Sequence, residues 1–518
     1  MGSQPVLESE PENDVCLVVE GTYPYVAGGV SSWTHDIITS LPHLKFHLLA
    51  ILPPNPDTKL RYEVPENVTG ITQVELQKIP KLYQGRKVKV PDDFFDRLFK
   101  PLIAFQLTGS LASLDAIIRI IAPHRPLLNQ AVLLDSKPAW KLMLRMYNEL
   151  IPNGPFLDFF WTWRFLLGNL FTLLLSPLPK ARLYHPVSTG YAGLYSARAR
   201  LETCRPVMLT EHGIYTNERR IEIAMADWLY ERPSDTLSID DTVRDIKSLW
   251  IGAFKTYSVA CYEGCEKIIT LFEGNQKFQI ADGANPEKMS AIPNGIDWQT
   301  FAAIERNEDP DRPPTIALIG RVVPIKDIKS FLRSCALIKE VVGNVRVWIM
   351  GPTDEDQDYF DECQDLVQYL ALEDTVEFTG RVKLVEYLGD VDVMVLTSIS
   401  EGQPLVILEA GAAGIPSVST DVGACSEMLL GRSDEDPPLG PAGAISPVAN
   451  PVVVAEEVVK LLTNRGWFQR CQKAIAERIR TYYDKEDLKK AYGGLYEELK
   501  AMDDVPRPEL DAQFRGDG

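Results

Sequence analysis

The sequence predicts an α/β protein made of two doubly wound, Rossmann-like domains that face each other across a cleft. Three observations support this prediction. Short apolar runs alternate with helical segments in both halves of the 518-residue chain. A proline- and charge-rich segment at 305–314 separates the two halves. Glycine-containing loops follow several of the apolar runs and lead into helices, as in nucleotide-binding α/β folds.

In the first half, short β-branched runs predict strands at 15–19, 46–52, 131–134, 183–187, 206–210, 267–271 and 288–292. The first strand leads into Gly28-Gly29, and Ser31 and Ser32 then favour a helix start near Trp33. This half defines a predicted domain at 14–304, preceded by a disordered, acidic tail at 1–13.

The second half repeats the alternation, with strands predicted at 315–319, 346–350, 376–379, 391–397 and 417–420. Helices are predicted at 328–342, 356–370, 405–413, 452–462 and 467–482, and the loop 431–443 is expected to be exposed. The resulting domain is 315–482. A last helix within 483–502 is expected to pack back toward the first domain, followed by a disordered tail at 503–518.

Composition excludes several classes of protein. Hydrophobic residues make up 45% and charged residues 24%, and 53 Lys+Arg against 72 Asp+Glu leave a net charge of −19. This balance argues against nucleic-acid binding. The N-terminus lacks a signal peptide, and the apolar stretch 156–178 is interrupted by charged residues and a proline, so we expect a cytoplasmic protein without a membrane span. That stretch is either a buried helix or, through Phe159, Phe160, Trp161 and Trp163, a docking face.

The strongest chemical motif is the run from Ser400 to Pro416, which follows a strand and opens a helix. Pro404 suits the first helical position, and the free N–H groups of the first turn form an anion site with the helix dipole. Glu401 lies at the mouth of this site and Glu409 lies in the helix. Two such carboxylates could hold two hydroxyl-bearing parts of one ligand. An acidic helix start is the equally weighted alternative.

Three other loops carry candidate residues. Arg321 and Lys326 follow a strand of the second half and suit a diphosphate, although a solvated basic loop would look the same. Gly28-Gly29 would permit close approach to a phosphate. His212 follows a strand of the first half and would face the cleft, whereas a lone histidine is more often structural; His185 is a weaker case of the same kind.

Metal binding is not expected. Cys261 and Cys265 suit one helix face, and the eight cysteines are too sparse for a disulfide framework. The acidic triplet at 354–356 follows a strand and is the better of two candidate metal motifs, but an acidic helix start explains it more simply. The second motif is at 390–392.

Together these residues carry a resemblance. Arg321 with Lys326, the Glu401–Glu409 pair, Pro293-Asn294-Gly295-Ile296-Asp297 and Gly28-Gly29 resemble the retaining glycosyltransferases of family 4, which have the two-domain GT-B fold. The resemblance covers about residues 14–500. The segments 20–33 and 210–219 are similar to the glycosyltransferases of bacterial Pel exopolysaccharide synthesis.

The resemblance implies a UDP-sugar donor, no cofactor and no metal. Arg321 and Lys326 would neutralise the diphosphate, Glu409 would bind the ribose, and Glu401 would hold the transferred sugar. His212 would lie near the reacting centre. Further donor contacts are implied for Gly28, Gly29, Asn294, Arg381, Val382, Gly402, Gln403, Pro404 and Leu405. The acceptor would be a growing polysaccharide, and the enzyme would be recruited by inner-membrane Pel-type synthase and export proteins rather than by lipid.

Two alternatives stay open on the sequence. A UDP-sugar 2-epimerase has the same architecture, and a non-catalytic subunit could bind a nucleotide sugar without transferring it. The donor sugar, whether UDP-glucose or a UDP-N-acetylhexosamine, is not determined by the motifs.

Overall fold

The computed structural model describes residues 13–80, 90–225, 246–307, 309–502 and 504–507. The described residues divide into two compact units, of which 13–270, 276–290 and 492–507 form the first and 271–275 and 291–491 form the second. The predicted tail at 1–13 lies outside the described residues except for Asn13, which begins the first strand.

The first unit is a layered α/β structure. Its described strands are β1 (Asn13–Glu20), β2 (Phe46–Leu52), β3 (Val68–Glu75), β4 (Ala181–Pro186), β5 (Met208–Glu211), β6 (Lys267–Thr270) and β7 (Met289–Ala291). Its described helices are α1 (Gly29–Ser40), α2 (Phe94–Thr108), α3 (Leu111–Ile121), α4 (Gln130–Leu133), α5 (Lys137–Leu150), α6 (Phe156–Leu175), α7 (Tyr191–Thr203), α8 (Tyr215–Met225), α9 (Ile246–Gly264) and α10 (Gln276–Ala281).

The strands of the first unit run in the order β3-β2-β1-β4 and β5-β6-β7, and a parallel bridge between Tyr184 and Val207 joins the two groups. Strand order therefore reverses between β1 and β4, both of which are parallel to their neighbours. The predicted strand at 131–134 is wrong. It is the helix α4, because the Asn129 side chain accepts from the Val132 N–H and starts a helical turn. Sequence analysis missed β3, whose residues are mostly half-buried rather than a continuous apolar run.

Helix α6 is buried along most of its length, which confirms the simpler of the two interpretations for its C-terminal part. Phe159 and Trp163 pack into the core, whereas Trp161 is 59% exposed. None of the helices in the described residues is long and apolar enough to cross a membrane.

The second unit has the predicted alternation. Its described strands are β8 (Thr315–Ile319), β9 (Arg346–Met350), β10 (Val376–Gly380), β11 (Val393–Leu396), β12 (Ser417–Thr420) and β13 (Gly443–Ser446). Its described helices are α11 (Trp298–Ala302), α12 (Ile328–Val342), α13 (Gln357–Tyr369), α14 (Leu405–Ala412), α15 (Cys425–Leu430), α16 (Pro451–Thr463) and α17 (Arg465–Tyr482). The loop 431–443 is not wholly exposed, because Glu435 forms a buried ion pair with Arg478 of α17.

The six strands of the second unit form one parallel sheet in the order β10-β9-β8-β11-β12-β13. Apolar clusters cover both faces, so the sheet is doubly wound. Strand order reverses between β8 and β11. In open α/β sheets, ligands bind at this reversal, outside the carboxyl ends of the strands.

The last helix, α18 (Lys485–Lys500), begins in the second unit and from Tyr492 onward belongs to the first. In the first unit, the Tyr492 and Tyr496 hydroxyls form hydrogen bonds with Thr210 and His185. Residues 504–507 belong to the tail that the sequence predicted to be disordered. They are part of the first unit, where the Val505 N–H donates to the Cys204 carbonyl at 2.7 Å. The remainder of 503–518 is outside the described residues.

Candidate functional site

An ion pair lies next to the point where the strand order of the second unit reverses, between β8 and β11. Lys326 ends a 3₁₀ turn after β8, and Glu401 lies in the loop after β11. Lys326 Nζ lies 2.5 Å from Glu401 Oε1, and the Ser398 hydroxyl donates to the same oxygen at 2.6 Å. The two charged side chains are only 17% and 12% exposed. The loops that sequence analysis selected separately therefore form one site.

Backbone hydrogen bonds hold the two loops together. The Ile399 N–H donates to the Ile325 carbonyl at 2.8 Å, and the Thr397 hydroxyl donates to the carbonyls of Lys326 and Asp327, each at 3.0 Å. Asp327 also caps α12, where it accepts from the Ser330 N–H. Lys326 is therefore fixed at its backbone by the neighbouring loop, and sequence analysis had not identified Thr397 or Ser398.

The N-terminus of α14 opens beside this ion pair. Pro404 is the residue before the helix, not its first residue as predicted, and α14 begins at Leu405. The Ile407 N–H donates to the Pro404 carbonyl at 3.1 Å, whereas the N–H groups of Leu405 and Val406 have no acceptor inside the helix and can bind an anion. Gly423 presses against this loop in a left-handed conformation, with φ of 54°, and a Cβ there would lie 2.1 Å from the Gly402 carbonyl oxygen. Only glycine fits that approach.

Asn294 and Gln403 are joined directly. The Asn294 N–H donates to Gln403 Oε1 at 2.7 Å, and both residues are buried. Among the described residues, Asn294 Oδ1 is buried and has no hydrogen-bond partner. The turn is held from the other side, because the Ile296 N–H donates to the Tyr483 carbonyl at 2.9 Å. The Asn294-Gly295 turn thus supports the loop that precedes α14.

Glu409 lies in the second turn of α14, half-buried. Desolvation by burial raises the pKa of its carboxyl group to about 7. The folded state holds this proton more tightly than the unfolded chain does. The stability that the protonated carboxyl group contributes is therefore present below the ordinary pKa of a glutamate and is lost as the pH rises through about 7. A carboxylate with such a pKa changes charge within the physiological range.

If Glu409 binds the ribose of a UDP-sugar, as the resemblance implies, the affinity for that donor should rise about tenfold between pH 6 and pH 8, because a group with a pKa near 7 goes from about one-tenth to about nine-tenths ionised. An ionised carboxylate accepts hydrogen bonds from hydroxyl groups better than the neutral acid does. Calorimetric titration with UDP-glucose and UDP-N-acetylglucosamine across this range measures the effect, since neither donor titrates there. Glu409→Gln is the control and should show no such pH dependence. An identical pH profile in both proteins would contradict the assignment.

Arg321 and the Arg381-Val382 segment both lie at the carboxyl ends of strands in the second sheet. Arg321 follows β8 and pairs with Glu355 at 2.9 Å, with 56% of its side chain exposed. Arg381 is exposed after β10, and Val382 packs partly on the core. With strands about 4.8 Å apart, β10 is about 10 Å from β8. The described structure therefore places all three residues along one edge, with Arg321 turned toward an acidic neighbour.

The candidates of the first unit lie after β1 and β5. Gly28 precedes α1 with extended backbone, and no atom of the described chain lies within 4 Å of a Cβ placed at Gly28 or Gly29. The fold therefore does not itself require glycine there. Close approach of a phosphate stays a prediction.

His212 follows β5 and stacks edge-on against Trp33, with ring centroids 4.7 Å apart. Desolvation by burial lowers its pKa to about 4, so the imidazole is neutral at pH 7. Among the described residues, His212 Nε2 is buried without a hydrogen-bond partner. His185 differs, because both ring nitrogens are bonded, to Tyr496 and to Thr210. His185 is thus a structural residue, and His212 has a free polar atom for a ligand.

Sequence analysis did not identify two carboxylates of the first unit, the half-buried Glu20 and the buried Glu211. Glu20, at the end of β1, accepts from the Tyr191 N–H at 2.8 Å and the Tyr215 hydroxyl at 2.7 Å. Glu211, at the end of β5, accepts from Tyr262 at 2.7 Å and Gln279 at 2.8 Å. Burial raises the pKa of both. An acidic residue at the end of an apolar run is the sequence pattern that could have identified them. Their hydrogen bonds show that they hold the neighbouring segments in place.

The candidate metal motifs have structural roles. Asp356 caps α13 by accepting from the Tyr359 N–H, which confirms the helix-start interpretation of 354–356. Asp392 forms a two-point ion pair with Arg312, at 2.8 and 2.6 Å. Cys261 and Cys265 are free and buried, with sulfur atoms 3.9 Å apart. Within the described ranges no group of three or more His, Cys, Asp or Glu residues could hold a metal ion.

Two protein-family models match different parts of the chain. Residues 13–287 match a family model described as "Domain of unknown function (DUF3492)", which covers more than half of the chain. The chain belongs to the DUF3492 family. Residues 313–464 of this DUF3492 protein match a second model, "Glycosyl transferases group 1".

Curated relatives match parts of the DUF3492 chain. It is 31% identical over 163 residues to D-inositol 3-phosphate glycosyltransferase of Kineococcus radiotolerans, covering 29% of this chain and 38% of that protein. It is 25% identical over 250 residues to N,N'-diacetylbacillosaminyl-diphospho-undecaprenol alpha-1,3-N-acetylgalactosaminyltransferase of Campylobacter jejuni, covering 46% and 62%. The chain spans from about two-fifths to three-fifths of the length of these relatives.

Solved structures confirm the predicted GT-B fold. Sucrose-phosphate synthase of Thermosynechococcus elongatus is similar with a TM-score of 0.57 at 15% identity, covering 94% of this chain and 99% of that one. HepE of Anabaena, solved in complex with UDP, has a TM-score of 0.54 at 13% identity and covers 93% of this chain and 100% of that one. At these identities the similarity establishes the fold of the DUF3492 protein and not its substrate.

Proposed function

We propose that this protein is a retaining, metal-independent glycosyltransferase of family 4 that transfers a hexose or N-acetylhexosamine from a UDP-sugar to a growing polysaccharide. The observation that carries the proposal is the ion pair between Lys326 and Glu401 at the strand reversal, beside the free N-terminus of α14. One cation, one carboxylate and one helix N-terminus meet there, which are the groups a sugar diphosphate requires.

Lys326 can bind the diphosphate of the donor while it remains paired with Glu401, which would hold the sugar. An ammonium group has three N–H donors, and Glu401 uses one of them, which leaves two for phosphate oxygens. Negative charge grows on the diphosphate as the bond to the sugar breaks. Lys326 and the first turn of α14 are fixed before the reaction, so they stabilise this charge without reorganisation. The Ser398 hydroxyl holds the Glu401 carboxylate, whose second oxygen is left to accept sugar hydroxyls.

Arg321 supplies a second cation on donor binding. Its pair with Glu355 is solvent-exposed, and such pairs contribute only about 0–1 kcal/mol. A diphosphate can therefore draw the guanidinium away from Glu355 at small cost. Glu409 would bind the ribose hydroxyls, and Arg381-Val382 would line the uracil.

Two of the implied donor contacts, Gly29 and His212, are residues of the first unit. Gly29 would approach the phosphates. His212, neutral at pH 7 and with an unpaired ring nitrogen, would hydrogen-bond the donor sugar. The acceptor hydroxyl would attack from the face that the diphosphate leaves, which retains configuration without a protein nucleophile.

The comparisons support this proposal. The similar HepE of Anabaena has been solved in complex with UDP and with UDP-glucose, and the partial relatives are glycosyltransferases. We further propose a Pel-type polymer as product, as made with PelF, on the strength of the segments 20–33 and 210–219. The acidic pair Glu20 and Glu211 lies within those segments and orders their loops.

A panel of nucleotide sugars tests the donor. A ligand at 100 times its Kd raises the free energy of unfolding by about 2.7 kcal/mol, so the correct donor shifts the melting temperature. UDP release is then measured with that donor and short oligosaccharide acceptors. Release that requires acceptor supports the transferase. Donor binding without release would indicate a binding subunit, and conversion of the donor to its epimer would indicate an epimerase.

Chelation provides a separate prediction. We expect activity to be unchanged in excess EDTA, because Lys326, Arg321 and the α14 N-terminus supply the positive charge that a divalent cation would otherwise provide. The measurement is the rate of UDP release before and after dialysis against EDTA. Loss of activity that Mn²⁺ restores would contradict the metal-independent mechanism.

A further inference from the structure

Helices α5 and α6 present large apolar side chains to solvent. Leu157 is 64% exposed, Trp161 59%, Trp140 46% and Phe156 37%. We call these four residues the aromatic patch. Isolated exposed apolar residues are ordinary on protein surfaces, whereas several that adjoin indicate a binding surface.

Ring contacts show that the aromatic patch is continuous. The Trp140 ring lies 6.1 Å from Phe156 and 5.8 Å from the half-buried Phe160, which in turn lies 5.0 Å from Trp161. The opposite side of α6 faces the core through Phe159 and Trp163. Packing of the fold therefore accounts for the inner residues of this helix, but it does not account for Trp161 or Leu157.

Unpaired positive charge borders the aromatic patch. Lys137 lies three residues before Trp140 on α5, and Lys141 follows one turn after Lys137. Both lysines are exposed, and neither has an acidic partner among the described residues. The neighbouring Arg164 is already paired with Asp135, at 2.6 Å. The exposed Asp158 of α6 opposes them, so Lys137 and Lys141 leave a small positive excess beside the patch although the whole chain carries −19.

We propose that the aromatic patch binds the surface of an anionic phospholipid bilayer. Indole rings suit the boundary between headgroups and acyl chains, because each has an apolar body and an N–H that remains in contact with water. Lysines beside them bind anionic headgroups. The net charge of −19 on the whole chain would by itself oppose contact with anionic lipid. At a Debye length of about 10 Å, the charges next to the patch matter most.

Vesicle sedimentation tests the proposal with the purified full chain. Vesicles of phosphatidylcholine alone are compared with vesicles containing phosphatidylglycerol. We expect binding to the anionic vesicles, at least about tenfold weaker binding to the neutral ones, and weakening by salt. Trp140→Ser/Trp161→Ser and, separately, Lys137→Glu/Lys141→Glu should each reduce binding about tenfold or more.

The matched control removes exposed apolar groups elsewhere. Val341 is 67% exposed and Tyr369 is 86% exposed, both in the second unit. Val341→Ser/Tyr369→Ser should bind vesicles like the unmodified chain. Calorimetric affinity for the nucleotide-sugar donor should be unchanged in all three variants, because none of these residues is in the proposed donor site. This readout separates failure of the lipid proposal from failure of the proposed function.

Three results would overturn the proposal. The first is an unmodified chain that does not bind anionic vesicles. The second is a tryptophan variant that binds them normally. The third is binding only to vesicles that carry membrane proteins, which would assign the aromatic patch to a protein partner instead.

Discussion

Lys326→Ala is expected to lower kcat by about 10²–10³-fold, or about 2.7–4 kcal/mol of transition-state stabilisation. The ammonium group lies 2.5 Å from Glu401 and faces the strand reversal where the diphosphate would depart. Its backbone is held by Thr397 and Ile399, so removal of the side chain should leave the loop in place. The measurement is the initial rate of UDP release at saturating donor and acceptor.

Lys329→Ala is the matched control. Lys329 lies three residues further along the chain, on α12, and pairs with Glu362 outside the proposed donor site. We expect turnover within twofold of the unmodified enzyme, because a paired surface lysine contributes about 0–1 kcal/mol to stability. Near-normal turnover in Lys326→Ala, with an unchanged melting temperature, would reject Lys326 as a catalytic residue.

Glu401→Gln is expected to lower kcat/KM by about 10²-fold. The change keeps the size of the side chain but removes the charge that pairs with Lys326 and accepts from Ser398. A mostly buried ammonium group then has no counter-charge until the donor binds, and the sugar hydroxyls meet a weaker acceptor. Steady-state kinetics with varied donor concentration measures the effect.

Glu362→Gln gives the corresponding control for loss of one carboxylate, and its kinetics should not change. The double variant Lys326→Ala/Glu401→Gln adds a stricter test. Because the two side chains touch, the loss in the double variant should be smaller than the product of the two single losses. Independent, multiplicative losses would mean that the ion pair is not a functional unit.

Local sequence patterns predicted much of this architecture for identifiable reasons. The strands and helices of the second unit lie close to the predicted positions because their apolar runs are short, buried and bounded by loops. The failures have equally clear causes. Residues 131–134 are apolar, but capping by Asn129 makes them helical. Strand β3 is half-buried and so lacks the apolar run on which the prediction depended.

The sequence by itself determined the residue types of the candidate donor site and their positions directly after strands. It could not determine their partners. Ser398 holds Glu401 within one loop, whereas the contacts of Glu355 with Arg321 and of Gly423 with Gly402 each join different loops.

Tertiary structure also separated residues that look alike in sequence. His185 lies near the end of β4 and His212 directly follows β5, but of the two only His212 retains a buried nitrogen without a partner in the described chain. The aromatic residues of helix α6 look alike in sequence, and only its packing shows that Trp163 is core and Trp161 is surface. Local pattern reports which backbone conformation a segment prefers. The burial, charge and hydrogen bonds of a side chain depend on segments distant in sequence, and these meet only when the strand order is established.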